Sequence, residues 1–343
     1  MLTPRNLALI IIVPLAAALL AVQAGQVRPA VLSRWGAAVA DQASVGLMGK
    51  AEPLAGRAAP AVVGLDEFNR GSALLDSAAD GAVQSFRRAL PGGGTLAYVV
   101  VRLVEGVHVG VISADGATPA SDAAGDTMWA DGGRHLQPVA EMAAAPYAAR
   151  DGMDLVFAMA FGFHGDTRTS DEGSVVVDGV IHRVNAGRSA LCVTPDLRAV
   201  IGMFNASDLM GCAQAAGAGP VILWQGRAVS LAADRPADDV LPFNPLGEDF
   251  AQLDWRKKIY AGRYPKTAIG VGELPGGGHV LVLATAEGAL GEEIARALRE
   301  MGCSDALGGD DDTSTQAVWR GQPVWDRPGR PVPDAVAVYV SLP

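Results

Sequence analysis

Cysteines, aromatic residues and cations are all scarce in this chain. Its 343 residues hold three cysteines, Cys192, Cys212 and Cys303, with no Cys-x-x-Cys pair, which excludes a disulfide scaffold and a cysteine zinc site. A bridge between Cys192 and Cys212 would need an oxidising compartment, and two buried thiols are the plainer reading. Only 6% of the residues are aromatic although 50% are hydrophobic, so the core is aliphatic and large enough for one big domain or two small ones. Lysine and arginine number 27 against 37 acids, a formal net charge of −10. With no basic face to release counterions from a polyanion, nucleic acid is excluded as a partner and anionic headgroups are disfavoured.

No apolar run is long enough for a comfortable membrane span. Arg5 precedes an uncharged stretch from Leu7 to Val22, broken by Pro14. At 1.5 Å per residue it reaches about 24 Å, short of the roughly 30 Å hydrocarbon core. Val22-Gln23-Ala24 has the small-residue form of a cleavage site, so residues 1–25 read as a signal peptide, with an uncleaved anchor as the alternative. Either reading sends the bulk of the chain out of the cytosol.

Residues 26–91 read as a linker and helical N-terminal region. Ala51 to Pro60 is rich in Ala, Pro and Gly, Ser33 to Met48 suits a weak helix carrying Trp35, and Val83, Phe86 and Leu90 share one helical face before Pro91-Gly92-Gly93-Gly94. Strand patterns dominate from Thr95 onward. Thr95 to Leu103 and Val107 to Ser113 flank Glu105-Gly106 as an expected hairpin, and a polar loop from Ala114 to Arg134 leads to a helical stretch, Leu136 to Ala149. Further strands are expected from Leu155, Ser174, Ser189, Ala199, Val221, Thr267 and His279. Glu292 to Met301 is a clear helix, with Ile294, Leu298 and Met301 on one stripe, acids in its first turn and Gly302 beyond its end. The fold class expected is α+β, with helices set against a mainly antiparallel sheet.

Common catalytic motifs are missing. There is no Gly-x-Ser-x-Gly elbow, no His-Glu-x-x-His and no P-loop. Gly270-Val271-Gly272 and Gly276-Gly277-Gly278 stand between two strands with no helix behind them, which makes a hairpin turn and not a dinucleotide loop. Of five histidines only His164, in Phe163-His164-Gly165-Asp166, lies beside other polar chemistry. What the chain does have is Gly308-Gly309-Asp310-Asp311-Asp312-Thr313-Ser314-Thr315, three adjacent carboxylates followed by three hydroxyls. A solvated acidic turn is the bland reading. A phosphatase of the haloacid dehalogenase type fails on context, because its paired aspartates end a buried strand near the start of a domain.

Several segments together carry a family resemblance. Tyr264 to Val271, Leu281-Val282-Leu283, the helix from Glu292, Asp305-Ala306-Leu307, Asp310 to Thr315, Arg330 to Ala335 and, upstream, Phe157 to His164 are similar to the phosphodiester glycosidase family, whose members include bacterial exopolysaccharide-associated proteins. The likeness covers roughly residues 150 to 343 and implies a domain over residues 92–343. It implies Asp310 as general base or nucleophile, Ser314 as a hydrogen-bonding catalytic group, and Lys266, Thr267, His164, Asp166 and Thr315 around a sugar phosphate.

The chain departs from that pattern at the site itself. Lys266 replaces an arginine and loses its two-pronged fork, Ala160 replaces an asparagine, and Asp311-Asp312-Thr313 replaces three glycines. Each carboxylate about 5 Å from a phosphate charge costs roughly 3 kcal/mol at an effective dielectric of 20, so an anionic ligand needs a compensating cation. A Ca²⁺ or Mg²⁺ on Asp310 and Asp312 would supply one. Two readings stay open: an exported hydrolase of sugar 1-phosphodiesters in an envelope or extracellular glycan, or a degenerate domain that binds a glycan or a protein. The partner expected is a glycan or sugar-phosphate ligand, or a protein in the degenerate reading, with membrane attachment through the N-terminal segment if that segment is an uncleaved anchor.

Overall fold

The computed structural model describes residues 64–114, 136–163 and 173–342. The signal or anchor segment, the linker, the helix expected from Ser33, the polar loop after Ala114, and His164 with Asp166 lie outside these residues. Among the described residues no helix is long and apolar enough to cross a membrane.

Three sheets build the body. The largest has nine strands in the order β1 (Ala73–Ala78), β2 (Val83–Ala89), β3 (Thr95–Arg102), β15 (His279–Ala289), β14 (Tyr264–Glu273), β16 (Asp305–Asp311), β11 (Val221–Trp224), β12 (Arg227–Val229) and β13 (Val240–Leu241). A second has β7 (Val180–Arg183), β6 (Val175–Val177), β10 (Gln214–Gly217), β8 (Ser189–Val193) and β9 (Ala199–Met203). The third has β18 (Gln322–Pro323), β17 (Ala317–Trp319), β5 (Met153–Ala160), β19 (Asp334–Ser341) and β4 (Val107–Ser113). All pairs are antiparallel except β12 with β13, as the sequence led us to expect of the architecture.

Side-chain alternation explains the layers. Val99, Val101, Ile269, Leu281, Leu283 and Leu307 turn one face of the large sheet toward Phe157, Met159, Phe161, Val336 and Val338 of the third sheet. Its other face, through Tyr98, Val282 and Ala306, packs under Ile294, Leu298 and Met301. Strands covered on both faces read as unbroken apolar runs, and Leu96 to Val101 is buried at every position. Among the described residues five helices accompany the sheets: α1 (Leu65–Phe68), α2 (Val139–Ala144), α3 (Ala206–Leu209), α4 (Leu253–Ala261) and α5 (Gly291–Glu300). Glu293 accepts the Leu290 N–H at 3.0 Å and so caps α5 at its start, and Gly302, at φ 98°, follows its end.

Three expectations need correction. Residues 83–89 form β2 and not a helix: Val83 belongs to the core between the sheets while Phe86 and Leu90 belong to the core under α5, so their helical spacing is a coincidence of two faces. The large sheet accordingly begins at Ala73, within what reads as a linker and helical region. β3 and β4 are not a hairpin, because β2 and β15 already occupy both edges of β3 and the chain crosses at Val104 to the third sheet. Cys192 and Cys212 are bonded, with Cα atoms 5.5 Å apart, where two thiols were the preferred reading. Cys303 is free and buried.

Candidate active site

The chemistry-bearing residues meet where β14 begins and β16 ends. The two strands are antiparallel, and a shift of register between Lys266 and Ala268 puts Asp311, not Asp310, directly across from Lys266. Gly308 and Gly309 let β16 pass closely under its neighbours, since a Cβ at Gly309 would lie 2.4 Å from Thr267 Oγ1 and 2.5 Å from the Phe161 ring. Asp312 then turns the chain at φ 55°, a left-handed conformation that aspartate tolerates better than most residues.

Asp310 is held from three sides. Its N–H donates to the Phe161 carbonyl at 2.8 Å, tying the large sheet to the end of β5. Its own carbonyl accepts from Thr267 Oγ1 at 2.7 Å, and its Oδ1 accepts from the Asp311 N–H at 2.9 Å. Burial raises the pKa of its carboxyl, opposed by that N–H, by Ser314 and by the charges of Arg330 and Arg256. The Ser314 hydroxyl is near enough to favour the charged form, yet not placed to make a hydrogen bond. Asp310 Oδ2, Ser314 Oγ and Thr315 Oγ1 are therefore buried oxygens with no hydrogen-bond partner among the described residues. Groups of this kind are costly to leave unpaired, which marks the place as one that receives polar atoms from outside.

Asp311 faces a small cleft of about 30 Å³ shared with Lys266, Thr267, Arg256, Tyr260 and the Gly308-Gly309 backbone. Burial, followed by repulsion from Asp310, pushes the Asp311 carboxyl up to about 7. Lys266 moves the other way, down to about 8, because burial outweighs the attraction of Asp311 and Asp312. Its ammonium donates to the carbonyls of Gly262 at 2.7 Å, Ala289 at 2.9 Å and Tyr264 at 3.2 Å. Those three bonds match the three donors of a lysine, a cage suited to a compact ammonium and not to a planar guanidinium.

The guanidinium in this cleft comes from a residue the sequence reading missed. Arg256 projects from α4, its Nη1 3.9 Å from Asp311 Oδ2 and its guanidinium carbon 3.7 Å from the centre of the Phe163 ring. Arg256, Ile259 and Tyr260 follow a helical spacing with Gly262 beyond, a signal present in the sequence but short and diluted by Asp254, Lys257 and Lys258. Arg330, whose N–H donates to the Thr313 carbonyl at 2.8 Å, is a second cation beside Asp310.

Thus Lys266, Thr267, Asp310, Ser314 and Thr315 are brought together, with Arg256, Arg330 and Asp311 added. Asp312 stands apart from this group in burial, exposed where Asp310 is buried. Among the described residues no three His, Cys, Asp or Glu side chains are grouped to hold a metal ion.

In this strand-rich body Asp311 and Arg256 line one cleft and the buried Asp310 stands next to it in the chain, which brings carboxyls and a guanidinium close together. The phosphodiester glycosidase family model matches residues 153–339, more than half of the chain, and the chain belongs to that family. The catalytic domain of zebrafish N-acetylglucosamine-1-phosphodiester alpha-N-acetylglucosaminidase, auto-inhibited by its pro-peptide, shares the fold at a TM-score of 0.52 and 12% identity, over 84% of this chain and 96% of that one. A hypothetical protein from Synechocystis aligns at a TM-score of 0.49 and 15% identity, over 76% of this chain and 62% of its own length. No curated protein matches the sequence.

Proposed function

We propose that this phosphodiester glycosidase domain hydrolyses a sugar 1-phosphodiester in an envelope or extracellular glycan. The observation that carries the reading is the Asp311 carboxyl set against Arg256 in one cleft, with the buried Asp310 next to it in the chain. A pair of carboxyls in different surroundings divides the work of proton transfer. Asp310 attacks the anomeric carbon or activates water there, while Asp311, about half protonated at pH 7, offers a proton. A phosphate leaves as a stable anion, so the reaction asks for less acid assistance than ordinary glycoside hydrolysis.

The phosphate contact passes from Lys266 to Arg256. Lys266 is occupied by three carbonyls, and Thr267 by the Asp310 carbonyl, so both position the strand ends. Arg256 presents a planar fork that matches two phosphate oxygens and is the cation that the acidic loop demands. Ser314 and Thr315 offer their hydroxyls to the sugar. A divalent ion on Asp310 and Asp312 would add to this charge balance without being its only source. Export fits the Cys192–Cys212 bridge, since disulfides persist in oxidising compartments.

A second reading has its own support: the caged Lys266 and the aspartates in place of glycines describe a domain that binds glycans without cleaving them. Hydrolysis of a chromogenic sugar 1-phosphodiester, with and without a chelator, separates the two. Wild-type protein is expected to turn over, Asp310→Asn to lose activity at least a thousandfold, and Arg256→Ala to raise KM tenfold or more. Binding of a sugar 1-phosphate by calorimetry with no turnover selects the second reading.

A further inference from the structure

Away from the cleft, two hollows run together along the open mouth between the large sheet and the third sheet. One, of about 260 Å³, is lined by Leu75, Phe157, Trp319 and Gln322, and the other, of about 560 Å³, by Thr95, Glu287, Trp325 and Asp326. Arg87, Pro323 and Val324 line both, so they form one groove. The second lies in the range of roughly 300–1,000 Å³ usual for small-molecule sites, and the first adjoins it just below that range.

We propose that this groove is a binding site for an extended saccharide chain, the part of the substrate beyond its sugar phosphate. The inference deepens the proposed activity and rests on it only for what happens at the chain end. Three observations carry it.

The aromatic surface is fixed in advance. The Trp319 indole N–H donates to Asp76 Oδ2 at 2.9 Å, and the Trp325 N–H donates to Thr285 Oγ1 at 2.9 Å. With its donor engaged and the Arg320 guanidinium carbon 5.9 Å from its ring centre, the half-buried Trp319 gives the groove an aromatic wall of the kind against which the C–H face of a sugar ring packs. Leu75, 58% exposed on the edge strand β1, extends that surface at a bulge in the pairing of β1 with β2.

Polar groups stand beside the plate and are held too. Arg87 lies 5.0 Å from the centre of the Trp325 ring and donates one Nη2–H to the Val324 carbonyl at 3.0 Å, while the side chain as a whole is exposed. Its remaining donors point the fork of a preorganised guanidinium at solvent. Glu287 and Asp326 add acceptors to this donor, the mixture that hydroxyl-rich chains satisfy and that acyl chains do not.

The groove is also tied to the Asp310–Thr315 loop by one side chain. Arg327 pairs with Glu287 at 3.0 Å on one side, and on the other donates to the Thr315 carbonyl at 2.9 Å and the Asp312 carbonyl at 3.4 Å. One side chain thus joins the groove wall, at Glu287, to the turn that carries Ser314.

The test uses the full chain on an array of structurally defined bacterial, plant and animal polysaccharides, followed by calorimetry with the oligosaccharides it selects. Wild-type protein and Asp310→Asn are expected to bind alike, whereas Trp319→Ala, Arg87→Ala and Leu75→Arg weaken binding tenfold or more. Leu75→Arg alters an exposed side chain and keeps the test sound if Trp319→Ala unfolds. On a cleavable polymer the groove variants should raise KM with kcat unchanged, and on a short chromogenic substrate they should match wild type. Failure of wild-type protein to cleave anything removes the proposed activity and leaves the binding result readable. Absence of binding to every saccharide, or binding that no groove variant weakens, overturns the groove proposal.

Discussion

Lys266 and Asp311 sit across one strand pair with their proton affinities pushed in opposite directions, and that has a consequence for stability. Asp311 titrates near 7 in the fold and near 3.8 as a free side chain, so between these values the native state holds a proton that the unfolded chain has released. Stability from this group is therefore present at low pH and is lost as pH rises to about 7. Lys266 titrates near 8 against an ordinary 10.5, so above 8 the unfolded chain holds the extra proton and stability rises with pH. The two contributions together are smallest between about 7 and 8. Urea unfolding of wild type and Asp311→Asn at pH 4, 5, 6 and 7 should show the wild type losing ground to the variant at each step. A difference that stays constant with pH would remove Asp311 from this role. The expected site residues were legible because Lys266-Thr267 and Asp310 to Thr315 are consecutive in the chain. Which aspartate faces Lys266 was not, because a one-residue bulge decides it.

The helix α5 announced itself in the sequence by a three-residue stripe and by its flanking acids and glycine. In the structure Ile294, Leu298 and Met301 are fully covered by the large sheet. Leu298→Ala should destabilise the fold by about 2–5 kcal/mol, through lost burial and the cavity left between helix and sheet. Denaturant midpoints with an unchanged slope would check it, and a loss below 1 kcal/mol would mean that α5 is not anchored there. The hairpin β14–β15 was equally plain, marked by glycines between apolar runs. In β2 the same kind of pattern misled, since a strand buried on both faces places Val83 and Phe86 at a helical interval. The short α4 went unseen, and Arg256 with it.

Across the whole molecule the second sheet is closed on itself by one covalent link. The Cys192–Cys212 bridge closes a loop with a sequence separation of 20 between β8 and the start of β10. By the chain-entropy estimate such a loop contributes roughly 3 kcal/mol against the reduced unfolded chain. The double variant Cys192→Ser, Cys212→Ser should unfold at a lower denaturant concentration by that amount. Thiol counting under denaturing conditions should find one reactive cysteine, Cys303, in wild type and not three. Three thiols in protein recovered from an oxidising compartment would remove the bridge. Composition, turn residues and periodicity were enough to establish the strand-rich class, the chief helix, the β14–β15 hairpin and the loop that carries Asp310, because those signals act between residues near one another in the chain. Which strands share a sheet, that β3 takes β2 and β15 in place of β4, that Arg256 supplies the cleft its guanidinium and that Cys192 meets Cys212 depended on contacts between distant segments. Those contacts are selected by which faces can be buried together, a choice made only when the layers close.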